Sequence, residues 1–366
     1  SLGNMGETDA RLVIVDNTAP VGSVSAAAYT NTNTVTLSLS YHDATSQVVS
    51  AKYNDNGSGW TEWGTPTATY SLTLGSAGVR TIYYCLQDTA GNVSTLTTTI
   101  LYDGTLPRGT ITINSGAAYT NSRFVTLRLE YSDDASGVNS VRYSNDGTFT
   151  SDWEMANVVK QWELSSGDGV KTVDYQVKDN AGKVYQTTDT IILDTTPCGT
   201  LTVGSPVTGA TYRGSITLTA EAHDTIAVDR VEFYVDGVLY TSSGGSNFNA
   251  TWATTAANDG AHSVYFKAID GAGNGTESRV INIIVDNTVP ESVMIVNPAA
   301  GEHVSGTLTI EAVAADAINV ARVEFYVDGT STLIGSSTSA PWIMSTNTTT
   351  LSEGSHTLYA RCIDGA

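Results

Sequence analysis

Aspartate is the residue type whose spacing in this chain could support chemistry. Three recur in every stretch of about 90 residues. One opens an Asp-x-Thr-x-Pro stretch, one follows a strand-like alternation, and one opens an Asp-x-Ala-Gly-Asn loop. The sets are Asp16, Asp43 and Asp88; Asp103, Asp133 and Asp179; Asp194, Asp224 and Asp270; and Asp286, Asp316 and Asp364. Carboxylates gathered with backbone carbonyls are ligands for Ca²⁺, a hard cation that takes six to eight oxygens. Three carboxylates without a bidentate Glu make a small set for that ion. Aspartate in a Gly/Asn-rich turn also caps backbone N–H groups. Both readings fit the pattern.

Catalysis finds little footing. The histidines are His42, His223, His262, His303 and His356, and none belongs to a His-Glu-x-x-His or is joined by a Cys-x-x-Cys. There is no Gly-x-Ser-x-Gly elbow. A reactive group repeated in every unit suits a scaffold better than an enzyme, so the expectation is a non-catalytic protein.

The elements that must position these aspartates repeat with them. The Asp-x-Thr-x-Pro stretch stands at residues 16–20, 103–107 and 286–290, with a version one residue shorter at 194–197. Its aspartates are 87, 91 and 92 residues apart. The loop stands at 88–92, 179–183 (with Lys183 in place of Asn) and 270–274, and begins again at 364–366. Domains are therefore expected at 16–102, 103–193, 194–285 and 286–366. Residues 1–15 align with the stretch that ends the third unit, and read as the last strand of a preceding or partner domain. Residues 35–41 alternate apolar and polar, the period of a half-buried strand. Units one and two repeat each other closely. Units three and four share Val-Glu-Phe-Tyr-Val-Asp-Gly at 231–237 and 323–329, a strand running into an Asp-Gly hairpin.

Composition agrees with an all-β chain: short β-rich stretches are punctuated by Gly, Asn and Asp. No run of 18 apolar residues provides a membrane span. A net charge of −20 argues against nucleic acid, which requires basic patches.

The order of strand, Asp loop, strand, Asp-Gly hairpin, Asp-Gly-x-His, Asp-x-Ala-Gly-Asn and Asp-x-Thr-x-Pro resembles the bacterial and archaeal immunoglobulin-like repeats of cell-surface proteins. The resemblance covers the whole chain. It departs at Lys183, at the shortened linker beginning at Asp194, and at Gln47-Val48, where the second unit has Ser136-Gly137-Val138. It implies tandem immunoglobulin-like β-sandwiches, arranged as an extended rod by short proline-bearing linkers. In such a sandwich the two loop aspartates lie at the pole where the first strand enters. All three then converge on the junction with the preceding domain, where bound Ca²⁺ would stiffen the hinge.

The function implied is structural and extracellular: a stalk, surface layer or filament subunit whose partners are further repeats or copies of itself. Arg11, Leu12, Val13, Ile14 and Val15 could be donated as a strand to the fourth domain of another copy. A rival reading is an adhesive or carbohydrate-binding spacer that meets surface polysaccharide through exposed aromatics. Trp60, Trp63, Trp153 and Trp162 are expected to be core or strand-edge residues instead. Sequons at Asn56, Asn92, Asn249, Asn274 and Asn347 are candidate glycosylation sites. Cys85, Cys198 and Cys362 do not fit an antibody-type bridge. Cys362 reads as a small core residue, and Cys85 as facing solvent.

Overall fold

A computed structural model describes residues 9–56 and 59–365. The chain divides into two compact units, residues 1–118 with 122–192, and 119–121 with 193–366. Each holds two β-sandwiches, and the architecture is all-β.

In the first sandwich one sheet runs Val21–Ser25, Thr34–His42, Thr69–Thr73. The facing sheet runs Tyr29–Thr30, Val93–Tyr102, Gly78–Asp88, Val48–Asp55. Alternation along Thr34–His42 sends Val35, Leu37 and Leu39 into the core against Ile82, Tyr84 and Leu86. The second sandwich repeats this with Arg108–Ile113, Phe124–Ser132 and Val159–Glu163 facing Val138–Ser144, Gly169–Asp179 and Val184–Leu193. Its core centres on Leu127, Val141, Tyr175 and Val177, each fully enclosed.

The third and fourth sandwiches carry an additional strand. Val228–Val235 turns through Asp236-Gly237 into Val238–Gly244, and both turn residues have positive φ, at 50° and 78°. That is the type I′ geometry an Asp-Gly pair favours. Val320–Val327 also pairs with Leu333–Ser337, but through a longer loop in which Gly329 has φ of 129° and the last paired residues are Tyr326 and Leu333, so the second Asp-Gly pair does not form the tight hairpin expected. Among the described residues, the equivalent segment in each of the first two sandwiches makes a single isolated bridge, Ala51 to Gly64 and Val141 to Glu154. Phe233 and Phe266 pack edge to face in the third core, where the first two have stacked tyrosine pairs.

One irregularity recurs four times. The strand after the second aspartate slips register between Val48 and Ser50, Val138 and Ser140, Val228 and Arg230, and Val320 and Arg322. The residue opposite each slip is the loop aspartate: Asp88, Asp179, Asp270 or Asp364. A bulge bends its strand and re-aims the adjoining loop. Here it brings the second aspartate's loop over the third aspartate.

In the single chain Leu12, Val13, Ile14 and Val15 are exposed and lie outside any strand, and residues 1–8 fall outside the described residues. A further expectation is corrected. Cys85 does not face solvent: it is buried, with its Sγ 3.0 Å from the Thr95 hydroxyl. Cys198 is buried in the third core, and desolvation pushes its thiol up to about 11. Trp60 and Trp63 lie at the strand edge rather than in the core, one of the two placements expected, at 38% and 39% exposure.

Candidate metal centres at the linker poles

The marker loops fold by local rules. In each, the aspartate N–H bonds the carbonyl four residues on, and the glycine N–H returns to the aspartate carbonyl: Asp88 with Asn92 and Gly91, Asp179 with Lys183 and Gly182, Asp270 with Asn274 and Gly273. Gly91, Gly182 and Gly273 all have φ of 91°, a conformation that favours glycine. The residue after the aspartate then donates to the neighbouring loop, Thr89 to Gln47, Asn180 to Gly137 and Gly271 to Ala227. This ties two aspartate-bearing loops together.

The linker aspartate completes the set. In each of the first three sandwiches one carboxylate oxygen from every member lies within 4.8 Å of the others: Asp16, Asp43 and Asp88; Asp103, Asp133 and Asp179; Asp194, Asp224 and Asp270. Asp286 and Asp316 form no such three-carboxylate group with Asp364 among the described residues. The charges of Asp316 and Asp364 are nonetheless felt at Asp286.

The two oxygens of these carboxylates divide their work. Oδ1 caps the loop. Asp43 Oδ1 accepts from the Thr45 and Ser46 N–H groups at 2.9 and 2.7 Å, and Asp133 Oδ1 accepts from Gly137 N–H at 2.6 Å. Asp224 Oδ1 accepts from Ile226 and Ala227, and Asp179 Oδ1 accepts from Lys183 N–H at 2.8 Å. The linker residues do likewise: Asp16 Oδ1 accepts from the N–H and hydroxyl of Thr18, and Asp103 Oδ1 from those of Thr105. The turn-capping reading is therefore correct for this oxygen.

Oδ2 behaves differently. It is enclosed and has no hydrogen-bond partner in Asp16, Asp133, Asp179, Asp194, Asp286 and Asp316. In the first and third sandwiches the loop aspartate finds one: Asn92 Nδ2 donates to Asp88 Oδ2 at 2.9 Å, and Asn274 Nδ2 to Asp270 Oδ2 at 2.8 Å. The same amides also donate to the linker carbonyls of Asp16 and Asp194. Lys183 cannot supply that amide, so Asp179 keeps a bare oxygen. The second sandwich thus holds two, Asp133 Oδ2 and Asp179 Oδ2, with Asp103 and Asp179 0% and 1% exposed.

Electrostatics reflects this arrangement. Burial raises the Asp179 carboxyl above its ordinary value, and the charges of Asp103 and Asp133 push the same way. Burial likewise raises Asp194, joined by Asp270 and Asp224. Burial also acts to raise Asp103, but hydrogen bonds from Ser136 and Thr105 outweigh it and hold that carboxyl low. Hydrogen bonds from Ser46 and Thr18 lower Asp16. An all-oxygen set with bare, enclosed carboxylate atoms suits a hard cation. The second and third sandwiches fit one best, with the remaining positions left to carbonyls and water.

Sequence reasoning missed Asn92 and Asn274 as linker clamps and treated them as glycosylation sites. Their amide nitrogens are engaged in the clamp, so a glycan there would break it. The signal was present, since Asn recurs at the end of the loop. Asn249 and Asn347 are exposed, and Asn347 accepts from Thr349 as a helix cap. Asn56 holds a positive φ and accepts from Thr81 N–H, and the rest of its sequon lies outside the described residues.

At the opposite pole of the third and fourth sandwiches two histidines are clamped. His262 Nδ1 lies 2.7 Å from Asp236 Oδ2 and Nε2 2.7 Å from the Asn258 carbonyl. His356 meets Asp328 and the Ser352 carbonyl at 2.6 and 2.8 Å. Both ring nitrogens face acceptors, which suits the doubly protonated ring. His42, His223 and His303 join no such cluster among the described residues.

The architecture is that of tandem immunoglobulin-like β-sandwiches. Residues 200–265 and 292–360, in the third and fourth sandwiches, match the family described as bacterial Ig domain, and the first two sandwiches repeat that fold. Among solved structures, the chain is similar to a tetra-tandem repeat in the extending region of a large adhesion protein. That likeness has 18% identity over 95% of this chain and 96% of that one, with a TM-score of 0.37. It is also similar to a structure concerned with host cell surface retention of a 1.5-MDa bacterial ice-binding adhesin, at 20% identity over 75% and 100% with a TM-score of 0.36. Fibronectin(III)-like modules of Clostridium thermocellum CbhA match at 18% identity over 49% and 95%, with a TM-score of 0.37. No curated protein matches the chain.

Proposed function

We propose that this chain is a non-catalytic surface repeat, a spacer or adhesin-like segment of a bacterial extracellular protein, whose inter-domain linkers are set by bound Ca²⁺. The repeated fold supports the spacer, and the observation that carries the calcium part is the second sandwich's carboxylate group, with Asp133 Oδ2 and Asp179 Oδ2 enclosed and lacking donors. Asp103 is the coupling element. Its backbone N–H donates to the Thr30 carbonyl of the preceding sandwich at 2.9 Å, while its carboxylate faces the loops of its own. Asp286 is bonded to Tyr212 in the same way at 3.0 Å. A cation on the carboxylates would neutralise the cluster and fix the linker to both loops. The ion favours whichever linker arrangement supplies more of its ligands.

The test is isothermal titration of the chelator-treated chain with Ca²⁺, paired with small-angle scattering in EDTA and in calcium. The expected result is saturable binding with a narrowed distribution of inter-domain distances. Absence of binding at millimolar Ca²⁺ would leave the aspartates as turn caps alone. The spacer reading would survive that outcome, because it rests on the repeated fold.

A further inference from the structure

We propose that the outer face of the second sandwich binds an acidic polysaccharide, a chain bearing uronic-acid carboxylates. This does not rest on the calcium reading. Along Val138–Ser144 and Gly169–Asp179, Val141, Tyr143, Tyr175 and Val177 point into the core. Strand alternation therefore turns Arg142, Gln176 and Lys178 outward. The segment after Ser144, held by the Val141–Glu154 bridge, lays two aromatic rings beside them. The Arg142 guanidinium stands 4.4 Å from the Trp153 ring centre and 4.9 Å from that of Phe149. The Lys178 ammonium stands 4.2 Å from Trp153.

Neither cation has a carboxylate within ion-pair distance among the described residues. Six of the chain's 17 basic residues do: Arg80, Arg123, Lys160, Arg230, Lys267 and Arg322. What sets Arg142 and Lys178 apart from the other unpaired cations is that both stand on one indole. Arg142 Nε donates to Gln176 Oε1, and Gln176 Nε2 to Gln186 Oε1, each at 2.8 Å. That row leaves the terminal guanidinium nitrogens free and fixes a line of side-chain amides next to them. Amides match sugar hydroxyls, aromatic surface matches sugar C–H groups, and a guanidinium fork with an ammonium matches a carboxylate. A neutral glycan would leave the two cations unanswered.

The first sandwich holds half of this arrangement. Lys52 stands 4.8 Å from the Trp60 ring centre and 4.6 Å from that of Trp63. Gln87, opposite Ser50, occupies the register position of Lys178, opposite Ser140. The third and fourth sandwiches run a strand along this edge instead. The two kinds of repeat would then differ in function, one pair carrying a glycan face and the other not.

The experiment titrates the whole chain with oligogalacturonate and oligoalginate in EDTA, which removes calcium from both partners. Cello-oligosaccharide and polyglutamate serve as controls. Expected are salt-sensitive binding of the uronates, no binding of the neutral glycan, and a loss of about tenfold or more in the Arg142→Gln, Lys178→Gln double variant with an unchanged melting profile. Three results would overturn the proposal: no uronate binding at millimolar ligand, equal affinity for polyglutamate, or full affinity in the double variant.

Discussion

Replacing Asp179 by Asn should change the stability of the second sandwich with opposite signs in chelator and in calcium. The three carboxylates of that site place oxygens within 4.8 Å of each other. At an effective dielectric of about 20, each ionised pair at that distance repels by about 3.5 kcal/mol. Asp179 takes part in two such pairs. Hydrogen bonds to Asp103 and solvent at the half-buried Asp133 cancel most of this, leaving a net gain of about 1–2 kcal/mol when the charge is removed. Asn keeps an oxygen to accept from Lys183 N–H, so the loop cap survives. In EDTA the variant's second sandwich should therefore melt about 5–10 °C higher than that of the parent. In calcium at a hundredfold over its dissociation constant, the parent gains about 2.7 kcal/mol and the variant loses most of that gain.

The assay is scanning calorimetry of the full chain, with hydrogen exchange of peptides from residues 103–193 to assign the transition. A second check uses pH. A carboxyl raised in the folded state contributes stability that is complete below the ordinary value of 3.8 and is lost as pH rises through the folded value. The variant's advantage in EDTA should therefore vanish as pH falls through that window. Equal destabilisation in EDTA and in calcium would refute the reasoning and make Asp179 a cap only.

Lys183→Asn should supply the amide that Asn92 and Asn274 supply in their own loops. In EDTA it should stabilise the second sandwich by about 1–2 kcal/mol, read by urea denaturation. Tyr175→Phe removes a hydroxyl that is buried without a partner, at the position where the third core has Phe266. A gain of about 1 kcal/mol in the same denaturation experiment is expected. For His262, burial disfavours the charged ring, but the Asn258 carbonyl and Asp236 outweigh it and raise its pKa above 6.5. For His356 the Ser352 carbonyl and then Asp328 do the same. Their contribution is complete below pH 6.5 and is lost as pH rises through the folded values. Imidazole titration by NMR should place both values above 6.5, and His262→Gln should flatten the pH dependence of exchange in residues 260–270.

The sequence was legible where one local rule decides the outcome. The Asp-Gly pair at 236–237 specifies a type I′ hairpin because both residues must accept positive φ, and the structure has it. The alternation of residues 35–41 likewise places Val35, Leu37 and Leu39 in the core. Cys85 failed because phase alone was used. Its outward position is correct, but Thr95 and its neighbours cover that face. For Trp60 and Trp63 the sequence left core and strand edge both open, and packing decides between them. Aromatic residues usually fill cores, yet the first core is already closed by Tyr53, Tyr70 and Tyr84, and the indoles remain outside beside Lys52.

The aspartate sets were legible as sets, while the division between their two oxygens was not. That division depends on the recurrent bulge, which appears only when the register of two strands is known. It depends also on whether the loop ends in Asn or Lys. Asn92 and Asn274 use one amide to satisfy a carboxylate oxygen and to hold the linker carbonyl. With Lys183 that neutral clamp is absent, and the second sandwich retains two bare oxygens where the first and third retain one each. The linkers are therefore not equivalent in what holds them. Those of the first and third sandwiches have an amide clamp that persists without any ion. The second has in its place the Ser136 N–H bond to Asp103 and two bare oxygens; under the calcium proposal, removing the ion should loosen the linker at Asp103 before those at Asp16 and Asp194. Hydrogen exchange at the three linkers, followed through a calcium titration, orders them directly; simultaneous loosening of all three would remove the role assigned to Lys183.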